Sequence, residues 1–142
     1  MALEREVRKE GRTDLLILYV GAGGVIGAMA RYLVVVWLHG GLSASGFPYG
    51  TLAVNAVGCF LIGAVVGFAE AHKPLSPEMQ AFLLAGVLGG FTTFSAFGID
   101  TIRLFRDGAC LAGSANVALQ LGVGLAAVVV GLRVGQALKA VW

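Results

Sequence analysis

Charge is what this sequence has least of. Only 13% of its 142 residues are Asp, Glu, Lys or Arg, where a soluble domain uses about 25% to cover its surface. The shortage is uneven as well. Glu4, Arg5, Glu6, Arg8, Lys9, Glu10, Arg12 and Asp14 crowd into the first 14 positions, and none follows between Tyr32 and Ala69. This excludes an ordinary soluble domain and a disordered chain. The net charge is +2 and no basic block exists outside a tail of mixed sign, so nucleic acid is not an expected partner. Cysteine is scarce too. Cys59 and Cys110 have no His or Cys nearby at metal-ligand spacing and read as buried thiols, not as a disulfide framework. The N-terminus makes a poor signal peptide: it is as acidic as it is basic, and the apolar run after it exceeds the usual ~7–15 residues.

What is present is 58% hydrophobic residues and 22 glycines. Four apolar runs stand out: Leu15–Leu38, interrupted by Arg31, then Gly50–Ala69, Met79–Ile99 and Ala109–Leu132, all three uncharged. A bilayer core of about 30 Å needs about 20 helical residues, so each run can cross it once. No segment alternates apolar and polar residues as a membrane barrel would. The expected fold is an all-α integral membrane protein of four transmembrane helices, with a charged tail over residues 1–14 and a four-span domain over 15–142. Ser76-Pro77 reads as a helix start with proline in the first helical position. Gly23/Gly27, Gly63/Gly67, Gly86/Gly90 and Gly131/Gly135 are each four apart, a spacing that lets helix backbones approach closely in lipid. Such faces pack within one chain or seal a homo-oligomer. The oligomer is the expectation, since four helices supply little wall for a pathway.

Four spans put both termini on one side, with Arg5, Arg8, Lys9, Arg12, Lys73, Arg133 and Lys139. Arg103 and Arg106 lie opposite, with Arg31 if it belongs there. The full count favours termini inside. Without the tail the two sides balance, as a protein inserting both ways would show, so the tail leaves orientation undecided.

Polar groups inside spans are costly and therefore candidates for function. They are Arg31, Asn55, Thr92, Thr93, Ser95, Asn116 and Gln120. No carboxylate lies within a span, because Asp14, Glu70, Glu78 and Asp100 all fall at edges. That argues against a proton-coupled cation exporter, which needs a titratable group in the membrane. It also argues against an intramembrane hydrolase with paired carboxylates or zinc. No catalytic residue is expected.

The most informative stretch is Gly86–Phe97, GVLGGFTTFSAF. Gly89-Gly90 and Thr92-Thr93 are poor helix formers in the middle of a span, and a broken helix there must have its freed carbonyls satisfied. Carbonyls near Gly89 and Thr92 could hold a small cation; a plain kink against a neighbour fits the same residues. Phe94 and Phe97 share a helical face, and the positive edges of aromatic rings could touch a small anion. Core packing is the commoner use of such a pair. The Asn55 amide can offer two N–H groups to an anion or bond between helices. Arg31 fits either a structural arginine or an anion-attracting one.

Three blocks together resemble the Fluc-type (CrcB-like) fluoride channel family of bacteria: Gly23-Gly24-Val25-Ile26-Gly27-Ala28-Met29-Ala30-Arg31-Tyr32, Gly50-Thr51-Leu52-Ala53-Val54-Asn55-Ala56-Val57-Gly58, and Gly89-Gly90-Phe91-Thr92-Thr93-Phe94-Ser95-Ala96-Phe97. The resemblance implies passive fluoride export across the bacterial inner membrane. It implies an antiparallel, dual-topology homodimer with two fluoride pathways and a central structural sodium ion. By motif position, Gly89 and Thr92 would give the backbone carbonyls for sodium. Phe94 and Phe97 would be the pore rings, Asn55 the pore amide, Thr93 and Ser95 the hydroxyls beside them, and Arg31 the arginine near the mouth. The family's fourth helix often carries a Tyr and serines as a polar track. Here Asn116, Gln120 and Gly124 stand in that region instead, and Asn116 and Gln120, four apart on one face, could serve as a replacement track.

Overall fold

The computed structural model describes residues 2–42 and 46–138, with side chains from 12 to 38 and from 46 to 138. Helix α1 is Ala2–Leu42, so its backbone runs unbroken from the charged tail into the first span. The side chains of residues 2–11, and Met1 and Lys139 altogether, lie outside the described set, and with them Arg5, Arg8, Lys9 and Lys139 of the charge count that bears on orientation. Helix α2 is Tyr49–Ala71. Helix α3 covers residues 77–91: Pro77–Met79, a π-helical stretch Gln80–Leu88, and Gly89–Phe91. Helix α4 is Phe94–Arg106 and helix α5 is Cys110–Ala137. Four helical spans in the described chain are long and apolar enough to cross a membrane: Arg12–Leu38, Tyr49–Ala71, Pro77–Arg106 and Cys110–Ala137. Each contains most or all of an expected run.

Local chemistry sets the element ends. The Ser76 hydroxyl accepts from the Met79 N–H at 3.2 Å, with Pro77 next to it in the first turn, where a proline loses no helical hydrogen bond. Gly108, at φ +76°, makes the turn between α4 and α5, a conformation that only glycine adopts cheaply.

Side-chain packing contributes little to the interior. Val54, Ala81, Leu88, Phe91 and Leu104 are the buried apolar side chains among the described residues, while Leu18, Tyr32, Trp37, Leu111 and Leu125 are among many that face outward. Such a surface would aggregate in water and suits lipid. Backbone closeness does the work instead. A methyl group on Gly27 would strike the Val87 carbonyl, and one on Gly23 the Phe82 carbonyl, so α1 lies directly on α3. Gly63 and Gly67 meet Val128 and Leu132 in the same way, and Gly131 and Gly135 meet Phe60 and Ala64, which clamps α2 onto α5. Gly86 and Gly90 face Gly23 and Gly24. All four glycine pairs are thus consumed inside one chain. This corrects the expectation that these faces seal an oligomer: a backbone already in contact with its own neighbour has no room for a second copy.

Candidate functional site

Two residues separate α3 from α4. Thr92 (φ −81°, ψ 159°) and Thr93 (φ −151°, ψ 112°) are extended, and each has its polar atoms placed by its surroundings. The Thr92 hydroxyl donates back to the Leu88 carbonyl at 3.1 Å. The Thr93 hydroxyl caps α4 by accepting the Ala96 N–H at 3.2 Å, and the Ser95 hydroxyl lies 3.2 Å from it. Asn55, from α2, grips the Thr93 backbone twice: its Oδ1 accepts the Thr93 N–H at 2.8 Å, and its Nδ2 donates to the Thr93 carbonyl at 3.0 Å. The second Nδ2 hydrogen goes to Gln120 Oε1 on α5 at 3.0 Å. The amide's orientation follows from this network, because a flipped amide would set oxygen against both acceptors.

Asn55 is therefore saturated. Its two N–H groups, offered to an anion in the sequence reading, are spent on Thr93 and Gln120. The uncommitted donor is one residue further along the network, since Gln120 Nε2 is buried with no hydrogen-bond partner. A buried amide donor left unpaired costs about 1–3 kcal/mol, so the site favours any acceptor that can reach it.

Gln120 lines a cavity of about 340 Å³ together with Asn55, Gly89, Thr93, Phe94 and Phe97. Four of the six residues expected along an anion path or at its mouth (Asn55, Thr93, Phe94 and Phe97) thus meet at one wall. No Asp, Glu, Lys or Arg is among the described residues lining it. The Phe94 and Phe97 rings sit 5.2 Å apart, edge to face at 64°, and Phe94 is 80% exposed in the single chain. Helix α4 begins here, so the positive end of its dipole faces this region. Ser95 touches the cap and does not line the cavity.

Arg31 is not in the lining either. Its Nη1 donates to the Thr92 carbonyl at 3.1 Å, so it meets the break and not the cavity. Asn116 is fully buried but faces α4: its Nδ2 donates to Thr101 Oγ1 at 2.8 Å, and that hydroxyl donates to the Phe97 carbonyl at 2.8 Å. Its Oδ1 is left without a partner. Neither this brace beneath the Phe97 turn nor the Thr51 hydroxyl donating to Asp100 at 2.8 Å is visible in the sequence pattern. The polar residue types were visible, but their partners lie on other helices.

The carbonyls assigned to a cation can be tested against this geometry. Thr93 N–H would close the helical bond to Gly89 O and is given to Asn55 instead, which releases Gly89 O. Ala96 N–H would have closed on Thr92 O and is given to the Thr93 hydroxyl. Neutral carbonyl oxygens suit a hard monovalent cation. Gly89 fits that use, and Thr92 fits with one lone pair, the other being taken by Arg31. One chain offers too few ligands to surround an ion.

Comparison with known proteins bears on the whole span. Residues 18–132 match the family of CrcB-like proteins, Camphor Resistance (CrcB). A protein of Rhizobium meliloti named fluoride-specific ion channel FluC is 46% identical over 124 residues, 86% of this chain and 97% of that one. One of the same name from Agrobacterium fabrum is 48% identical over 120 residues, 84% and 95% of the two chains. A third, from Sorangium cellulosum, is 45% identical over 122 residues, 86% and 95%.

Proposed function

The chain belongs to the CrcB-like family of multi-pass membrane proteins, and on that premise we propose that it is a fluoride-specific passive channel. The relatives' names support the ion and the class, which is transport and not enzymatic catalysis. The observation that carries the reading in this chain is the cavity at the start of α4. Its lining joins the paired Phe94 and Phe97 rings to Gln120, whose Nε2 has no hydrogen-bond partner, and holds no fixed charge among the described residues.

Fluoride is small and strongly hydrated, so a path for it must replace water with donors. A buried cation would hold the ion too long for rapid passage. A neutral N–H, the positive edges of two rings and the positive end of a 13-residue helix attract the ion without trapping it. Gln120 Nε2 is the donor, Asn55 holds it in place, and Phe94 and Phe97 form the wall. Thr93 and Ser95 set the cap that fixes the rings' turn. No carboxylate is among the described residues lining the cavity, which fits passage that is not coupled to a proton.

We further propose an antiparallel dual-topology homodimer with two such paths, in which the Phe94 face open in the single chain is covered by the partner. The two copies would bring Gly89 and Thr92 carbonyls together around one sodium ion. When bound, that ion would neutralise the negative end of α3 in each copy.

Purified protein in liposomes loaded with fluoride should release it when an ionophore dissipates the potential, and should retain chloride. Well-folded protein that releases no fluoride would overturn the reading. Single-cysteine variants at the termini should be labelled from both sides of the membrane; labelling from one side would remove dual topology.

A further inference from the structure

Arg31 stands on the same stripe of α1 as Gly23 and Gly27, each four residues apart, and that stripe lies against the α3 backbone. The close approach that the glycines permit delivers the guanidinium to the C-terminal end of α3. There it donates to the Thr92 carbonyl at 3.1 Å. Two things make this more than a surface arginine reaching for a partner. The Thr92 carbonyl was released by the Thr93 cap, so without Arg31 it would lack the helical donor it gave up. It is also one of the orphan carbonyls at a helix C-terminus, where the dipole is negative and a positive charge is favoured.

We propose that Arg31 is the resident cation of the α3–α4 junction, setting how strongly the Thr92 carbonyl can serve a free monovalent cation. This rests on the reading of Gly89 and Thr92 as a sodium site. The guanidinium is fixed, always charged and within hydrogen-bond reach of one of the two oxygens. A sodium ion at Thr92 O therefore shares the oxygen with an existing partner and feels a like charge nearby. Affinity is thereby lower than the same carbonyls would give without Arg31, and the Thr92 carbonyl stays hydrogen-bonded when the ion is absent. Arg31 thus acts on the site as a positioning residue, through the Thr92 carbonyl that it holds.

The test uses full-length protein in detergent at constant ionic strength, with sodium replaced stepwise by N-methyl-D-glucamine. The readout is the sodium concentration that gives half of the thermal stabilisation. Arg31→Gln should lower that concentration at least about tenfold, as expected for removing a unit charge a few ångströms away, or should acquire a sodium response where the wild type has none. Arg31→Lys should stay within about threefold of wild type, because the charge remains. If Arg31→Gln needs as much sodium as wild type or more, or if neither protein responds, the proposal is overturned. If Arg31→Gln does not fold, the wild type decides. The Arg31 guanidinium nitrogen resonance should shift as sodium saturates, and a resonance that does not move overturns the proposal. The wild-type fluoride efflux described above is independent of all these outcomes, so failure of the channel reading is seen separately.

Discussion

Asn55 and Thr93 are joined by a reciprocal pair of hydrogen bonds, 2.8 Å from the Thr93 N–H and 3.0 Å to its carbonyl. The extended residue that separates α3 from α4 is thereby held by a side chain from α2, much as a neighbouring strand would hold it. Asn55→Asp should break this grip. An ionised carboxylate can still accept the Thr93 N–H, but it cannot donate to the Thr93 carbonyl or to Gln120. Losing two part-buried donors should cost about 2–4 kcal/mol. A lowered thermal midpoint of purified protein, together with lost fluoride efflux, is the expected result; an unchanged midpoint would mean that the pairing is not structural.

Gln120→Glu isolates the orphan donor. The carboxylate keeps an acceptor for Asn55 Nδ2 and removes the Nε2 hydrogens. Efflux should fall at least about a hundredfold, since a donor becomes a like-charged group on the path, worth about 3 kcal/mol or more. Gln120→Met, which removes both functions at similar volume, should also lower stability by about 1–3 kcal/mol because Asn55 loses a partner. Efflux near wild type in both variants would take Gln120 off the path.

Phe97→Ile keeps apolar bulk and removes the ring. The edge-to-face contact with Phe94, worth about 0.5–1.5 kcal/mol, is lost, so stability should fall only by that much. Fluoride efflux should slow at least about tenfold while the apparent mass of the assembly in detergent is unchanged. Efflux that keeps its rate would remove ring edges from the mechanism.

Glycines divide into two classes with opposite outcomes. Gly27→Ala and Gly131→Ala drive a methyl group into a backbone carbonyl of the facing helix, and should lower the yield of folded protein or cost more than about 3 kcal/mol. Gly98→Ala and Gly122→Ala meet nothing within 4 Å. They should be neutral, or stabilising by up to about 1 kcal/mol from helix propensity. Thermal unfolding of the four proteins side by side checks the split.

The spans were legible because they depend on single residues meeting lipid. The charge-free run from Gly50 to Ala69 and the Ser76-Pro77 start both lie inside what is observed. Pairing was less legible. Glycines four apart announce that something comes close, but nothing local says whether it is the same chain, and here Gly27 and Val87 are 60 positions apart. The fate of the Asn55 hydrogens was hidden for the same reason, since their acceptors lie 38 and 65 positions away. Arg31 carried the right charge for either of two tasks, and its partner, the Thr92 carbonyl 61 positions away, could not be read from its neighbours in sequence. The π-helical stretch Gln80–Leu88 had no signal in composition.

The two clamped helix pairs also order the protein's biogenesis. α1 and α3 are separated in synthesis by α2 alone, and their glycine contacts need nothing that comes later than α3. α2 is different. Its glycines close on Val128 and Leu132, which lie in the fourth span and are made after the other three. Before that span is made, the small-residue face of α2 has no α5 to close on, and Asn55 has no Gln120 to hold. The last helix is therefore the one that locks register for the second, and chains truncated before Leu132 should leave the insertion machinery half assembled.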